Sequence, residues 1–256
     1  MRIAVKVGTS TLTHGTGRIN IRLVELLCKT LSDIKNAGHE LILISSGAIG
    51  MGVGKLNLPA RPTDMPSKQA MAAIGQCELM YVYDKLFSEY HHIVAQILLT
   101  GEDFHDEVRH TNFMGTLSRL IELGALPIVN ENDTVATEEV SVGDNDTLGA
   151  LVAVSAGADM LIVLTDIDGL YTADPRKDPS AQLITEVTEL TPEILASAGG
   201  KGSSLGTGGM ATKLSAAKIC MEAGVDMYIV NGQNPEALYD ITSGHPVGTR
   251  FTGRKA

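Results

Sequence analysis

Several short stretches gather residue types that could handle a charged, phosphorylated ligand. KVGTS (6–10) ends an apolar run on a lysine and follows it with a glycine. Lys6 could aim its ammonium at a phosphate while Gly8 and nearby amides approach the same group. It could equally be an edge lysine that reaches water. SSGAIGMG (45–52) leads from an apolar run into a helical pattern. The amides of Ser46, Gly47 and Ala48 would form an anion-binding helix start, unless the serine is an ordinary cap. NEND (130–133) and GDND (143–146) bring Asn130, Asp133, Asp144, Asn145 and Asp146 into two short loops. Such groups suit a ligand's ammonium, a metal or the positioning of lysines, although the same residues are common turn formers.

Two further stretches suit a nucleotide. TDIDGLYTADPR (165–176) could meet a ribose and base, or could be a turn and a surface loop. LGTGGMATK (205–213) holds Gly206, Gly208 and Gly209 ahead of Lys213. A P-loop requires glycine directly before its lysine and a hydroxyl directly after, and here Thr212 and Leu214 take those places. The glycines would still let a ligand approach the backbone at a helix start, with Lys213 about one turn in and aimed back toward it. The dull reading is a flexible linker with a surface lysine. Neither an EF-hand pattern nor the dinucleotide spacing G-x-G-x-x-G is present.

The elements that would carry these stretches are legible from periodicity. Apolar runs at 2–7, 40–45, 92–100, 125–130, 160–166 and 225–231 read as strands. Helical patterns at 21–38, 67–90, 112–124, 146–158, 209–224 and 235–244 alternate with them. Near-continuous apolar strands between helices predict an α/β fold with a mostly parallel sheet covered on both faces. The proline-bearing segment 55–66 and the stretches 131–145 and 171–208 read as loops. Ligands of such sheets bind beyond the carboxyl ends of the strands, and the polar and glycine-rich stretches follow those ends.

Composition narrows the functions. With 20 basic and 30 acidic residues the formal charge is −10, which argues against nucleic acid or anionic membrane as a partner. An anionic ligand would need its positive charge supplied locally. Cys28, Cys77 and Cys220 are odd in number and far apart, which suggests reduced core thiols and a cytoplasmic location. No apolar run is long enough for a membrane span, and the N-terminus lacks the pattern of a signal peptide.

Taken in order, KVGTS, SSGAIGMG, SKQAMAAIGQ (67–76), NENDTVA (130–136), GDND, LTDIDGLYTADPR (164–176) and GTGGMATK (206–213) resemble the motifs of the amino acid kinase family. The resemblance implies a three-layer α/β/α sandwich around a mainly parallel sheet of about eight strands. It implies one kinase domain over 1–256, holding the amino acid in about 1–155 and ATP in about 156–256, without the C-terminal PUA domain that many members add. The members it most resembles phosphorylate the side-chain carboxylate of L-glutamate, using ATP and Mg²⁺.

By family position, Lys6 and Lys213 would contact the transferring phosphoryl group and Asp146 would hold the two lysines. Ser46, Gly47, Asn130, Asp133, Asp144 and Asn145 would surround the amino acid. Lys6, Gly8, Thr165, Asp166 and the run Thr207, Gly208, Gly209, Met210, Ala211, Thr212 and Lys213 would meet ATP. The resemblance names no metal ligand. It implies a homo-oligomer and proline as feedback inhibitor, and the reactivity of the acyl phosphate product suggests its delivery to glutamyl phosphate reductase.

The residues fit that chemistry. A glutamate side chain is a carboxylate at neutral pH, with a pKa near about 4.3, so it needs no general base to attack phosphorus. It needs positioning and charge cancellation. The motifs hold no histidine, and His14 lies just beyond the first. Their acidic and amide groups suit a free α-ammonium, which disfavours N-acetylglutamate, carbamate and UMP as substrates. Aspartate is disfavoured by the family match alone. A non-catalytic nucleotide sensor would be expected to lack Lys6, Asp146 or Lys213.

Overall fold

The computed structural model describes residues 1–136, 142, 144–197 and 209–253. The first half runs β1 (Arg2–Val7), α1 (Thr9–Leu12), α2 (Ile21–Asn36), β2 (Glu40–Ile44), α3 (Ala48–Lys55) and α4 (Met65–Ser88). It continues with β3 (Val94–Leu99), α5 (Glu102–His105), α6 (Glu107–Glu122), β4 (Leu126–Glu131) and α7 (Asn145–Ser155). The second half holds β5 (Met160–Thr165), β6 (Leu170–Tyr171), β7 (Leu183–Ile184), β8 (Glu186–Val187) and α8 (Pro192–Ser197). It closes with α9 (Met210–Glu222), β9 (Asp226–Asn231), α10 (Ala237–Thr242) and β10 (Thr249–Phe251).

Eight strands form one sheet in the order β3-β4-β2-β1-β5-β9-β10-β8. Its pairs are parallel except β9 with β10. β6 and β7 make a separate antiparallel pair. The expected fold class is therefore the observed one. The alternation of side chains along each strand divides the core in two. Ile3, Val5 and Val7 of β1 face one side, with Leu27 and Leu31 of α2, Tyr83 and Phe87 of α4, and Leu238 of α10. Ala4 faces the other, with Phe113 and Leu117 of α6, Leu148 and Val152 of α7, and Leu214 of α9. This is the three-layer sandwich, and it explains why the central strands are nearly continuous apolar runs.

β1 lies mid-sheet between β2 and β5. The chain fills the β2, β3 and β4 side first and then crosses to β5, so a topological switch falls beside β1, where open sheets hold their ligands. Several details depart from the sequence reading, among them β7, β8 and α8, which fall inside the stretch 171–208 read as a loop. α4 starts at Met65, with Asp64 accepting from Ser67 N at 2.9 Å as its cap, inside the segment read as a loop. Cys28 and Cys220 are buried, but Cys77 is exposed on α4 and is not a core thiol.

Candidate active site

One carboxylate organises the site. Asp146, in the first turn of α7, is 1% exposed. Lys6, near the end of β1, places Nζ 2.6 Å from Asp146 Oδ1 in a buried ion pair. Lys213, in the first turn of α9, donates from Nζ to Oδ2 at 3.1 Å. Thr212 Oγ1 donates to the same oxygen at 2.9 Å. Burial alone would raise the Asp146 pKa. The two ammonium groups overturn that and hold it at about 2.

Lys6 and Lys213 are themselves nearly buried, which removes the edge lysine and the surface lysine as readings. Their placement follows from the layers. Lys6 sits on the Ala4 side of β1, under α7, where a Cβ at Gly149 would lie 3.5 Å from its own Cβ, in van der Waals contact. α7 and α9 pack against each other on that same face, so two helix starts converge on the end of β1.

The residues expected around an amino acid form a second cluster, built on amides. Asn145 Nδ2 donates to Ser46 Oγ at 2.9 Å, to the Ser45 carbonyl at 3.0 Å and to Asn130 Oδ1 at 3.1 Å. Asn130 is buried and donates from Nδ2 to Gln76 Oε1 at 2.8 Å. Asp144 caps α7, accepting from the amides of Asp146 and Thr147 and from the Thr147 hydroxyl. Its carboxylate is thus committed to the helix start. Gly47, not a serine, caps α3, with φ +94° that favours glycine. Asp133 has its pKa pushed up to about 6, by burial first and the neighbouring Glu131 second, against the pull of Arg61.

These groups surround a cavity of about 210 Å³ lined by Lys6, Gly8, Ser46, Asp133, Asn145 and Asp166, among others. Gly47, Asn130, Asp144, Asp146 and Thr165 also line it, so the strand ends of β1, β2, β4 and β5 share one space. Thr165 Oγ1 donates to Asp166 Oδ1 at 3.3 Å. Met210, Ala211, Thr212 and Lys213 form the start of α9, with Gly209 as its cap, and are not among the cavity's lining residues. Thr207 and Gly208 lie outside the described residues.

The amino acid kinase family profile matches residues 1–231. The chain belongs to the amino acid kinase family. It is similar to the glutamate 5-kinase of Listeria innocua, 53% identical over 258 residues that cover 99% of this chain and 94% of that one. The glutamate 5-kinase of Clostridium perfringens is 51% identical, covering 99% and 96%. That of Caldanaerobacter subterraneus is 52% identical over all of this chain and 68% of its own length. Among solved structures, carbamate kinase from Giardia lamblia bound to AMP-PNP superposes with a TM-score of 0.69, at 19% identity and 98% coverage of each chain. An isopentenyl phosphate kinase from T. acidophilum gives 0.64 at 19% identity, covering 98% of this chain and all of that one. At that identity the structures speak for the fold alone.

Within this amino acid kinase cavity stand residues that the motifs did not single out. Arg61 lines it from the proline-bearing segment, and Glu131 lines it from the end of β4. Tyr83 of α4 shares a 2.9 Å hydrogen bond with Ser45 Oγ beneath the cavity. Arg61 had no local signal; a lone arginine among prolines reads as surface. Among the described residues no three His, Cys, Asp or Glu side chains come together as a metal cage.

Proposed function

We propose that the protein transfers the terminal phosphoryl group of ATP to the side-chain carboxylate of L-glutamate, giving ADP and L-glutamyl 5-phosphate, the first step of proline biosynthesis. The observation that carries this is one buried carboxylate, Asp146, shared by two lysines and lining, with Lys6, a cavity bordered by amide and acidic groups. Its agreement with glutamate 5-kinase relatives at about half identity over the whole chain supports the substrate.

In this reading Asn145, Ser46 and Asp133 hold the amino acid on the β2 and β4 side. Thr165, Asp166 and the start of α9 hold the nucleotide on the β5 and β9 side, with residues 1–155 and 156–256 as two functional parts of one domain. An ammonium carries three donors. Asp146 engages each lysine, leaving donors to turn toward phosphoryl oxygens. Two anions must meet for the reaction, and Lys6 and Lys213 lower their repulsion as charge spreads over the transferring group. The nucleophile arrives ionised, so no base is required. Asp146 stays a carboxylate throughout and fixes both lysines.

Mg²⁺ fits this site as a nucleotide-borne ion. Asp146 and Asp144 are committed to lysines and to a helix start, and Mg²⁺ favours phosphate oxygens and water over an all-protein cage. When bound it supplies further neutralisation of phosphate charge.

The test is an ATP-dependent assay in hydroxylamine, which traps an acyl phosphate as its hydroxamate. Glutamate should give hydroxamate, while aspartate and N-acetylglutamate should give little. A signal with either of those and none with glutamate would overturn the substrate.

A further inference from the structure

Gln76 has no part in the mechanism above, yet it stands directly behind the amino-acid side of the cavity. It lies mid-way along α4, 9% exposed. Its neighbour Gly75 lets α4 rest backbone to backbone on α3, since any side chain there would overlap the Ala48 carbonyl. That close crossing carries Gln76 to the buried amides. Its Oε1 accepts from Asn130 Nδ2 at 2.8 Å. Its own Nε2 is buried with no partner among the described residues. The contact that ties Gln76 to the cluster is therefore made through its oxygen.

The direction of the amide chain is set by backbone groups that cannot swap roles. The Glu131 N–H can only donate, and it donates to Asn130 Oδ1 at 2.9 Å. The Ser45 carbonyl can only accept, and it accepts from Asn145 Nδ2. Asn130 therefore turns its oxygen toward Asn145, and Asn145 turns its nitrogen inward. Asn145 lines the cavity, and with Nδ2 engaged by Ser45, Ser46 and Asn130, Oδ1 is the amide atom left to meet a ligand. An oxygen accepts from an ammonium; a nitrogen there would repel it.

We propose that Gln76 is a positioning residue: by accepting from Asn130 Nδ2 it keeps Asn130 in place and Asn145 turned with Oδ1 available to the α-ammonium of the substrate. Without that acceptor, Asn130 is left with a buried unpaired donor and is driven to rotate or to present nitrogen to Asn145. Asn145 then loses its reason to face inward. The role rests on the reading of this cavity as an amino acid site. It predicts discrimination against dicarboxylates that lack an ammonium, with glutarate the matched probe.

The experiment compares L-glutamate and glutarate in the hydroxamate assay for wild type, Gln76→Met and Gln76→Glu, with thermal unfolding of each. Gln76→Met conserves volume and removes the acceptor. Its ratio of kcat/KM for glutamate over glutarate is expected to fall about tenfold, the size of one buried unpaired group. The KM for glutamate should rise while the KM for ATP stays near wild type. Gln76→Glu keeps an acceptor and should restore most of the ratio. An unchanged ratio in folded Gln76→Met overturns the role. If Gln76→Met does not fold, Gln76→Glu decides: a ratio near wild type supports the role, and a lost ratio in folded protein overturns it. A wild type that phosphorylates neither compound overturns the reading of the cavity and this role with it.

Discussion

Lys6 and Lys213 hold opposite oxygens of a single buried carboxylate, one from a strand end and one from a helix start. Two positive charges therefore share one negative partner, and all three groups are largely buried beside the cavity. Asp146→Asn should lower turnover by about 10²-fold or more, since both lysines lose the group that aims them. It should also cost about 3 kcal/mol of stability, because two ammonium groups stay buried without a counter-charge. Adding Lys213→Met should recover part of that stability and none of the turnover. Urea unfolding and the hydroxamate assay on the same samples separate the two effects. Full turnover in Asp146→Asn would show that the carboxylate has no aiming role.

Acid should act on the same pair. The Asp146 pKa, about 2 in the folded state, is depressed below the ordinary value near 3.9. A depressed acid stabilises the fold above its unfolded pKa, and that stability is lost as pH falls through 4 toward about 2. The contribution is about 2 kcal/mol. Unfolding free energy measured from pH 6 to 2 should drop across that window. The drop should be smaller in Asp146→Asn.

Asp133 shifts the other way and should be read out by substrate affinity. Its carboxyl is pushed up to about 6 by burial and by Glu131, with Arg61 opposing. Below that pH it is neutral, and above it carries the charge that attracts an ammonium. The KM for glutamate should therefore fall as pH rises through about 6. Asp133→Asn should raise the KM and flatten this profile. As a raised acid, Asp133 favours the fold at low pH and loses that effect above about 6. An unaltered pH profile in Asp133→Asn would remove Asp133 from the ammonium site.

Gly75→Ala should force α4 away from α3. The added methyl would overlap the Ala48 carbonyl and crowd the Gly52 amide, both main-chain groups that cannot turn aside. A loss of about 1–3 kcal/mol in urea unfolding is expected, together with a raised KM for glutamate because Ala48 and Ser46 border the cavity. Gly115→Ala, where nothing lies within 4 Å of the new methyl, should be harmless and serves as control.

Much of this was legible in the sequence where local pattern and long-range structure agree. The strands at 2–7 and 160–165 were clear because they are buried on both faces and apolar at most positions, with Lys6 the exception inside β1. β8 and β10 were not, since two or three residues such as TRF carry no period. α3 is glycine-rich and a poor helix former by itself, and its close fit to α4 at Gly52 and Gly75 supplies what propensity lacks. Within the site, Lys6, Asp146 and Lys213 each stood out as a residue in a motif. Their meeting depends on sheet order and helix packing, which no local spacing encodes. Gln76 sits in an ordinary helical pattern, and only the Asn130 contact reveals it.

The cluster of two lysines and one aspartate carries a local surplus of one positive charge inside a chain whose formal charge is −10. Its attraction is short-ranged and buried, whereas the acidic exterior acts over the Debye length, about 8 Å at physiological ionic strength and longer in dilute buffer. A nucleotide polyanion thus meets a repulsive approach before an attractive destination. Moderate salt should speed its arrival by screening the exterior, the reverse of ordinary electrostatic steering. Such an enzyme captures its nucleotide by fit at the end of the path and gains nothing from guidance along it.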